Sequence, residues 1–249
     1  MAMHKLADYI LSVIFYFFFA LLLLFFHPVQ VGTHLLLGER ARQRVVTALN
    51  FLLLQSIRIL GSRLTFRGFD KIPHGRPVII VSNHQSMFDI PVVVYGFRGF
   101  NPKFISKIEL GRNLPSISYN LRQGKSALID RSDRAQAIKE IIRVGRLIES
   151  TGEAVCIFPE GTRSKTGTMK SFMPAGVSAL LRAAPSALIV PFVIDGHDRL
   201  MKYGAFPLRT FQRITYTILD PIEPADFPDM EIVKIVENRI REVLEKSPA

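Results

Sequence analysis

His84 and Asp89 stand five residues apart in the stretch Asn83-His84-Gln85-Ser86-Met87-Phe88-Asp89. An imidazole beside a carboxylate can make a general base. The carboxylate fixes the tautomer and favours the protonated ring, while the other ring nitrogen takes a proton from an alcohol. A base placed in this way contributes about 10²–10⁴ in rate. The same spacing also fits a plain helix cap, with Asn83 or Ser86 capping and Asp89 in the first turn against the helix dipole.

A second polar cluster follows at Phe158-Pro159-Glu160-Gly161-Thr162-Arg163-Ser164. Gly161 lets backbone approach a ligand closely. Arg163 offers a planar fork of donors that suits phosphate. Glu160 is a candidate to hold a substrate hydroxyl or to orient Arg163. The competing reading is a polar turn with a surface ion pair. Lys107 and Arg131 each follow a short strand signal and add two further cations.

Both clusters begin where an apolar run stops. Val78–Ser82 leads into His84, and Ala154–Phe158 leads into Glu160. Further strand signals are Leu64–Gly68, Lys103–Ser106, Ala127–Ile129, Leu188–Val193 and Ile214–Leu219. Helical spacing marks Met87–Tyr95, Ser116–Arg122, Arg134–Glu149, Ala175–Ala183 and Glu231–Lys246. Short apolar strands alternating with amphipathic helices imply an α/β fold, a mostly parallel sheet flanked by helices on both faces. In such sheets ligands bind at the carboxyl edge of the strands. His84, Glu160–Arg163, Lys107 and Arg131 would then share one edge.

The 249 residues allow one large α/β domain with an accessory segment. Lys plus Arg is 32 against 21 Asp plus Glu, a net charge of +11, which points to anionic partners. The chain is 48% hydrophobic despite that charge, and a membrane segment would account for it. Ile10 to Phe26 carries no charge. At about 1.5 Å per residue it spans roughly 26 Å, against a hydrocarbon core of about 30 Å. Three readings compete: a signal peptide, a short spanning helix, and one arm of a monotopic helical hairpin that turns at His27-Pro28. His27-Pro28-Val29 is a poor cleavage site, which disfavours the first.

Ala41 to Leu60 reads as a second helix with one apolar and one arginine-bearing face. It suits either the headgroup plane or the cover of a sheet. From Gly38 to Pro77, Arg40, Arg42, Arg44, Arg58, Arg63, Arg67, Lys71 and Arg76 face only Glu39 and Asp70. If the apolar run spans, this bias places everything after it in the cytoplasm. The division expected is residues 1–61 as membrane-anchoring helices and residues 62–249 as the α/β domain. Cys156 lies in an apolar strand and reads as a small hydrophobe. His197, beside Asp198 and Gly196, reads as a loop residue. None of the six histidines shows metal-ligand spacing, and no metal is expected.

N-H-x-x-x-x-D followed by F-P-E-G-T-R-S resembles the glycerolipid acyltransferase family, particularly bacterial 1-acyl-sn-glycerol-3-phosphate acyltransferases. The resemblance covers about Leu64 to Leu219, and the N-terminal apolar hairpin also fits the bacterial members. It implies His84 as general base, Asp89 as its orienting partner, and Glu160, Gly161, Thr162 and Arg163 as the acceptor-phosphate site. Arg131 carries over from the family's second block, where Gly124 stands a residue or so farther away than usual. Val190-Pro191-Phe192-Val193 matches the fourth block, with Phe192 in place of a small aliphatic residue that bears on the acyl pocket. Lys107 is a weaker match.

The activity implied is acyl transfer from acyl-CoA or acyl-carrier protein to the sn-2 hydroxyl of a lysophosphatidate at a membrane, with the catalytic domain facing the cytoplasm. The thioester serves as co-substrate and no other cofactor is implied. Alternatives are another acceptor, such as glycerol-3-phosphate or another lysophospholipid, a hydrolase using Ser86, and a non-enzymatic basic membrane-binding protein. Ser86 lies only two residues from His84 and no G-x-S-x-G elbow is present. Nucleic acid is disfavoured, since no basic motif is interleaved with aromatics.

Overall fold

The computed structural model describes residues 2–72, 74–164 and 168–246. Helix α1 (Ala2–Ser56) leads through a single turn of 3-10 helix to strand β1 (Arg63–Arg67). There follow β2 (Val78–Ser82), α2 (Asp89–Gly96), β3 (Lys103–Lys107), α3 (Ile117–Gln123), β4 (Ala127–Ile129) and α4 (Arg134–Thr151). The chain closes with β5 (Ala154–Ile157), α5 (Pro174–Ala183), β6 (Leu188–Asp195), α6 (His197–Leu200), β7 (Arg213–Ile218) and α7 (Asp229–Glu245). Short α6 is the one helix here that periodicity does not anticipate.

The seven strands form one sheet in the order β1-β7-β6-β2-β5-β3-β4. Every pairing is parallel except β6 with β7. Strands β2 to β6 therefore point the same way and bring their carboxyl ends to one edge. β2 lies at the centre, with β5 on one side and β6 on the other.

Alternation along the strands divides the core in two, because successive side chains point to opposite faces. Val78 and Ile80 join Cys156, Val190 and Phe192 on the face covered by α1, α2 and α3. Ile79 and Val81 join Val155, Ile189 and Val193 on the face covered by α4, α5 and α7. Buried Cys156 is a packing residue, and burial pushes its thiol well above the ordinary value.

Helix α1 is a hairpin, but its turn is at Gly38 and not at His27-Pro28. Gly38 has φ 78° and ψ −173°, outside the helical region, whereas Pro28 lies inside a continuous helical arm. Proline removes one donor and bends a helix without forcing a reversal. Glycine tolerates the positive φ that reversal needs. The first arm runs along the body with one stripe facing inward: Asp8, Ser12, Phe15, Phe19 and Gln30 are all buried. Asp8 Oδ1 accepts the backbone N–H of Thr210 at 2.8 Å, and the Leu208 N–H donates to Ser12 Oγ at 2.8 Å. Gln30 Nε2 donates to Ser116 Oγ at 3.2 Å. The second arm adds Leu49, Leu53 and Leu54 to the same core as β2 and β6. Opposite the stripe, Tyr9, Val13, Phe17, Leu21, Leu24 and Phe25 are exposed, as are Leu35, Leu36 and Leu37 at the turn.

Candidate active site

Strand β2 ends at Ser82, and the next seven residues form a hydrogen-bonded knot. Asn83 is buried and clasps β6 from both sides: its Nδ2 donates to Ile194 O at 2.7 Å, and its Oδ1 accepts Ile194 N–H at 2.9 Å. Helix α2 begins at Asp89 rather than near Ser86, so Asp89 is its first residue and not one turn in. Its carboxylate still reaches back. Oδ2 lies 2.7 Å from His84 Nδ1 and accepts the backbone N–H groups of Gln85 at 2.8 Å and Ser86 at 3.0 Å. Ser86 Oγ donates to Oδ1 at 3.2 Å and accepts the N–H of Phe88 at 2.9 Å. Ser86 is fully buried in these bonds.

His84 is the partly exposed member of the pair, with 18% of its side chain accessible. Its ring stacks on Phe158 at a centroid distance of 4.2 Å and an angle of 19°. Among the described residues Nε2 has no hydrogen-bond partner. An Nδ1–H donated to Asp89 leaves Nε2 as the basic nitrogen. Burial by itself would raise the Asp89 carboxyl, but the hydrogen bonds and charges of His197 and His84 outweigh it and hold the group well below the usual carboxylate range.

The loop after β5 is tied to the loop after β2. Glu160 Oε1 accepts the backbone N–H of His84 at 2.7 Å, and Oε2 accepts that of Lys170 at 2.9 Å. His84 O accepts the N–H of Ser164 at 3.0 Å. Glu160 is buried, and burial raises its carboxyl above the ordinary value despite those two donors. Gly161, with φ +70°, turns the chain outward. Thr162 Oγ1 accepts from Lys170 Nζ at 2.6 Å, and Arg163 is exposed.

Lys107 closes β3 and pairs in register with Ile129 at the end of β4, two residues before Arg131. These cations belong to the second and third strands from β2, about 10 and 14 Å away at about 4.8 Å per strand. Arg163 lies on the loop that follows the neighbouring strand, β5. Gly124 caps α3 through an N–H donated to Asn120 O at 2.8 Å. Phe192 is buried against Phe69, Phe97 and Tyr216, in the core of the sheet.

His197 is not the loop residue that its glycine neighbour suggests. It is fully buried at the start of α6, with Nδ1 2.6 Å from Asp89 Oδ1 and Nε2 2.8 Å from Tyr216 Oη. Gln85 Oε1 accepts its backbone N–H at 2.9 Å. The signal available in the sequence was positional: His197 follows an apolar strand just as His84 does. Among the described residues no group of three or more His, Cys, Asp or Glu side chains is placed to hold a metal ion. A cavity of about 110 Å³ lies apart from His84, between the second arm of α1, α2 and α3.

Residues 63–195 match the acyltransferase family. The 1-acyl-sn-glycerol-3-phosphate acyltransferase of Pseudomonas aeruginosa is 31% identical over 179 residues, which are 70% of this chain and 67% of that protein. The chloroplastic 1-acyl-sn-glycerol-3-phosphate acyltransferase LPAT1 of Arabidopsis thaliana is 28% identical over 161 residues, 64% of this chain. The chain spans only 44% of that plant protein and 41% of a Chlamydomonas reinhardtii relative. The crystal structure of the 1-acyl-sn-glycerophosphate (LPA) acyltransferase PlsC from Thermotoga maritima superposes with a TM-score of 0.81 at 25% identity, over 98% of this chain and 97% of that one. A parallel sheet that brings a histidine–aspartate pair and an E-G-T-R loop to one edge, with a family match over more than half its length, places this chain in the acyltransferase family.

Proposed function

We propose that the protein transfers an acyl chain from acyl-CoA or acyl-carrier protein to the free sn-2 hydroxyl of 1-acyl-sn-glycerol-3-phosphate, giving phosphatidic acid. One observation carries the reading: His84 has Nδ1 tied to a buried carboxylate and Nε2 available at the edge. Nε2 takes the proton of the substrate hydroxyl as its oxygen attacks the thioester carbonyl. The tetrahedral intermediate collapses, the carbon–sulfur bond breaks, and the leaving thiolate recovers the proton from the imidazolium. The thioester is already activated, so no acyl-enzyme is required.

Asp89 fixes the tautomer of the neutral ring and steadies the imidazolium that forms. In this scheme Arg163, on the loop after the neighbouring strand, grips the acceptor phosphate, with Arg131 and Lys107 farther out on the same edge. Thr162 and Gly161 shape that loop. Glu160 acts differently, because both its oxygens are engaged by backbone N–H groups. It holds the phosphate loop against His84. Remote phosphate binding then becomes positioning of the hydroxyl.

Residues 1–61 serve in this reading as the membrane anchor and 62–249 as the catalytic part, although the two share one core. α1 is long and apolar enough to cross a membrane. Its first arm, however, lies along the body from Asp8 to Gln30. A helix held sideways in this way lies in the plane of one leaflet, its exposed apolar face in the acyl region. The +11 charge suits the anionic cytoplasmic leaflet.

The test is a matrix of donors against acceptors with the purified protein in detergent. Lysophosphatidate with acyl-CoA or acyl-carrier protein should give phosphatidic acid. No ester with any donor would sink the proposal, and free fatty acid instead would indicate hydrolysis.

A further inference from the structure

Asp89 is bound more heavily than the orientation of one imidazole requires. Oδ2 serves His84, and Oδ1 serves His197 at 2.6 Å. The two histidines reach one carboxylate from two neighbouring strands, β2 and β6. A buried imidazole must keep its nitrogens hydrogen-bonded. An apolar side chain beside Phe88 and Tyr216 would carry no such requirement. The polar residue at 197 is met on both sides, by Asp89 and by Tyr216 Oη at 2.8 Å.

The direction of these bonds follows from chemistry. Tyr216 is fully buried, and burial, with the Asp89 charge, pushes its hydroxyl well above the ordinary value. The Asp89 carboxylate can only accept, so His197 carries a proton on Nδ1 toward Oδ1, and its Nε2 meets the Tyr216 hydroxyl on the other side. With Oδ1 occupied and both backbone donors on Oδ2, the carboxylate cannot rotate. His84 must present Nδ1–H to it and keep Nε2 for the substrate.

We infer that His197 is a positioning residue for acyl transfer, acting through the Asp89 carboxylate on the orientation of His84, with Tyr216 holding His197 from its far side. The inference rests on the proposed role of His84 as the base. It makes the end of β6 part of the machinery without any contact to substrate.

The experiment uses the full chain in detergent, with kcat, KM for both substrates and Tm for wild type, His197→Leu, His197→Asn and Tyr216→Phe. Nitrogen-15 NMR of labelled histidine reads the His84 and His197 tautomers without turnover. His197→Leu should lower kcat about 10- to 100-fold, the worth of one hydrogen bond to a charged group, with KM unchanged. His197→Asn places an amide N–H where Nδ1 stood and should recover most of that loss. In His197→Leu the His84 Nδ1 resonance should shift, because the Asp89 carboxylate loses the donor that holds Oδ1 at 2.6 Å. Equal kcat in the Leu and Asn variants, or a wild-type kcat in the Leu variant, would overturn the inference. If the Leu variant does not fold, Tyr216→Phe decides: it removes the partner of His197 Nε2 and should lower kcat with KM unchanged, and a wild-type kcat would overturn the inference. Absence of turnover in wild type, with the NMR response intact, would count against the proposed activity and not against this relay.

Discussion

The backbone N–H of His84 donates to Oε1 of Glu160 at 2.7 Å, across 76 residues of sequence. That bond joins the loop after β2 to the loop after β5 and sets His84 beside the E-G-T-R turn. Glu160→Ala leaves the N–H groups of His84 and Lys170 without their acceptor. Each such loss costs about 1–3 kcal/mol. With about 2–4 °C per kcal/mol for a chain of this size, Tm should fall by several degrees and kcat should fall with it. A calorimetric scan that shows an unchanged Tm would assign Glu160 to the substrate instead.

Asp89 is held well below the usual carboxylate range, so its contribution to stability has a definite pH window. A carboxyl lowered on folding stabilises the protein fully above its unfolded value of about 3.9, and that contribution is lost as pH falls through the folded value. Asp89→Asn should lower Tm at neutral pH, and the gap from wild type should not close between pH 7 and 5. A gap that closes in that interval would show Asp89 titrating there.

Arg163→Ala should raise KM for a phosphorylated acceptor by about 10-fold or more, since a hydrogen bond to a charged group is worth about 1.5–3 kcal/mol. The effect should vanish with an acceptor that lacks the phosphate. Lys107→Ala and Arg131→Ala, two and three strands from β2, should raise it less. An Arg163 variant equally impaired on both acceptors would show that it does not read the phosphate.

Leu35, Leu36 and Leu37 are the exposed tip of the α1 hairpin. Replacing all three with Ser leaves the shared core intact. If the tip enters a leaflet, each leucine contributes about 1.5–3 kcal/mol of burial there. Binding to anionic vesicles should drop at least 100-fold in a sedimentation assay with Tm unchanged. Undiminished binding would place the anchor elsewhere.

Much of this arrangement can be read from residue order. Val78–Ser82 and Ala154–Phe158 are apolar runs that end in polar clusters, and a parallel sheet delivers such ends to one edge. What escapes that reading is tertiary. Nothing in the spacing of Asp89 and His197 says that they touch; it takes the adjacency of β2 and β6. Gly196 beside His197 suggests a turn, and the turn is real, but it points the imidazole inward. Pro28 reads as a breaker, yet the helix continues, with Leu23, His27 and Gln30 around it all hydrogen-bonded to Ser116, and reversal waits for Gly38. Asn83 reads as a cap and instead clasps β6. The misses at Asn83 and His197 each involve a polar group whose partner lies far away in the sequence.

The central claim is that Nε2 of His84 takes the proton of a lysophosphatidate hydroxyl. Its most direct test is the rate of labelled acyl transfer from acyl-CoA to lysophosphatidate by His84→Ala, with Tm measured on the same sample. In His84→Ala kcat should fall about 10²–10⁴-fold with the fold retained. Near wild-type formation of phosphatidic acid by the folded variant would contradict it.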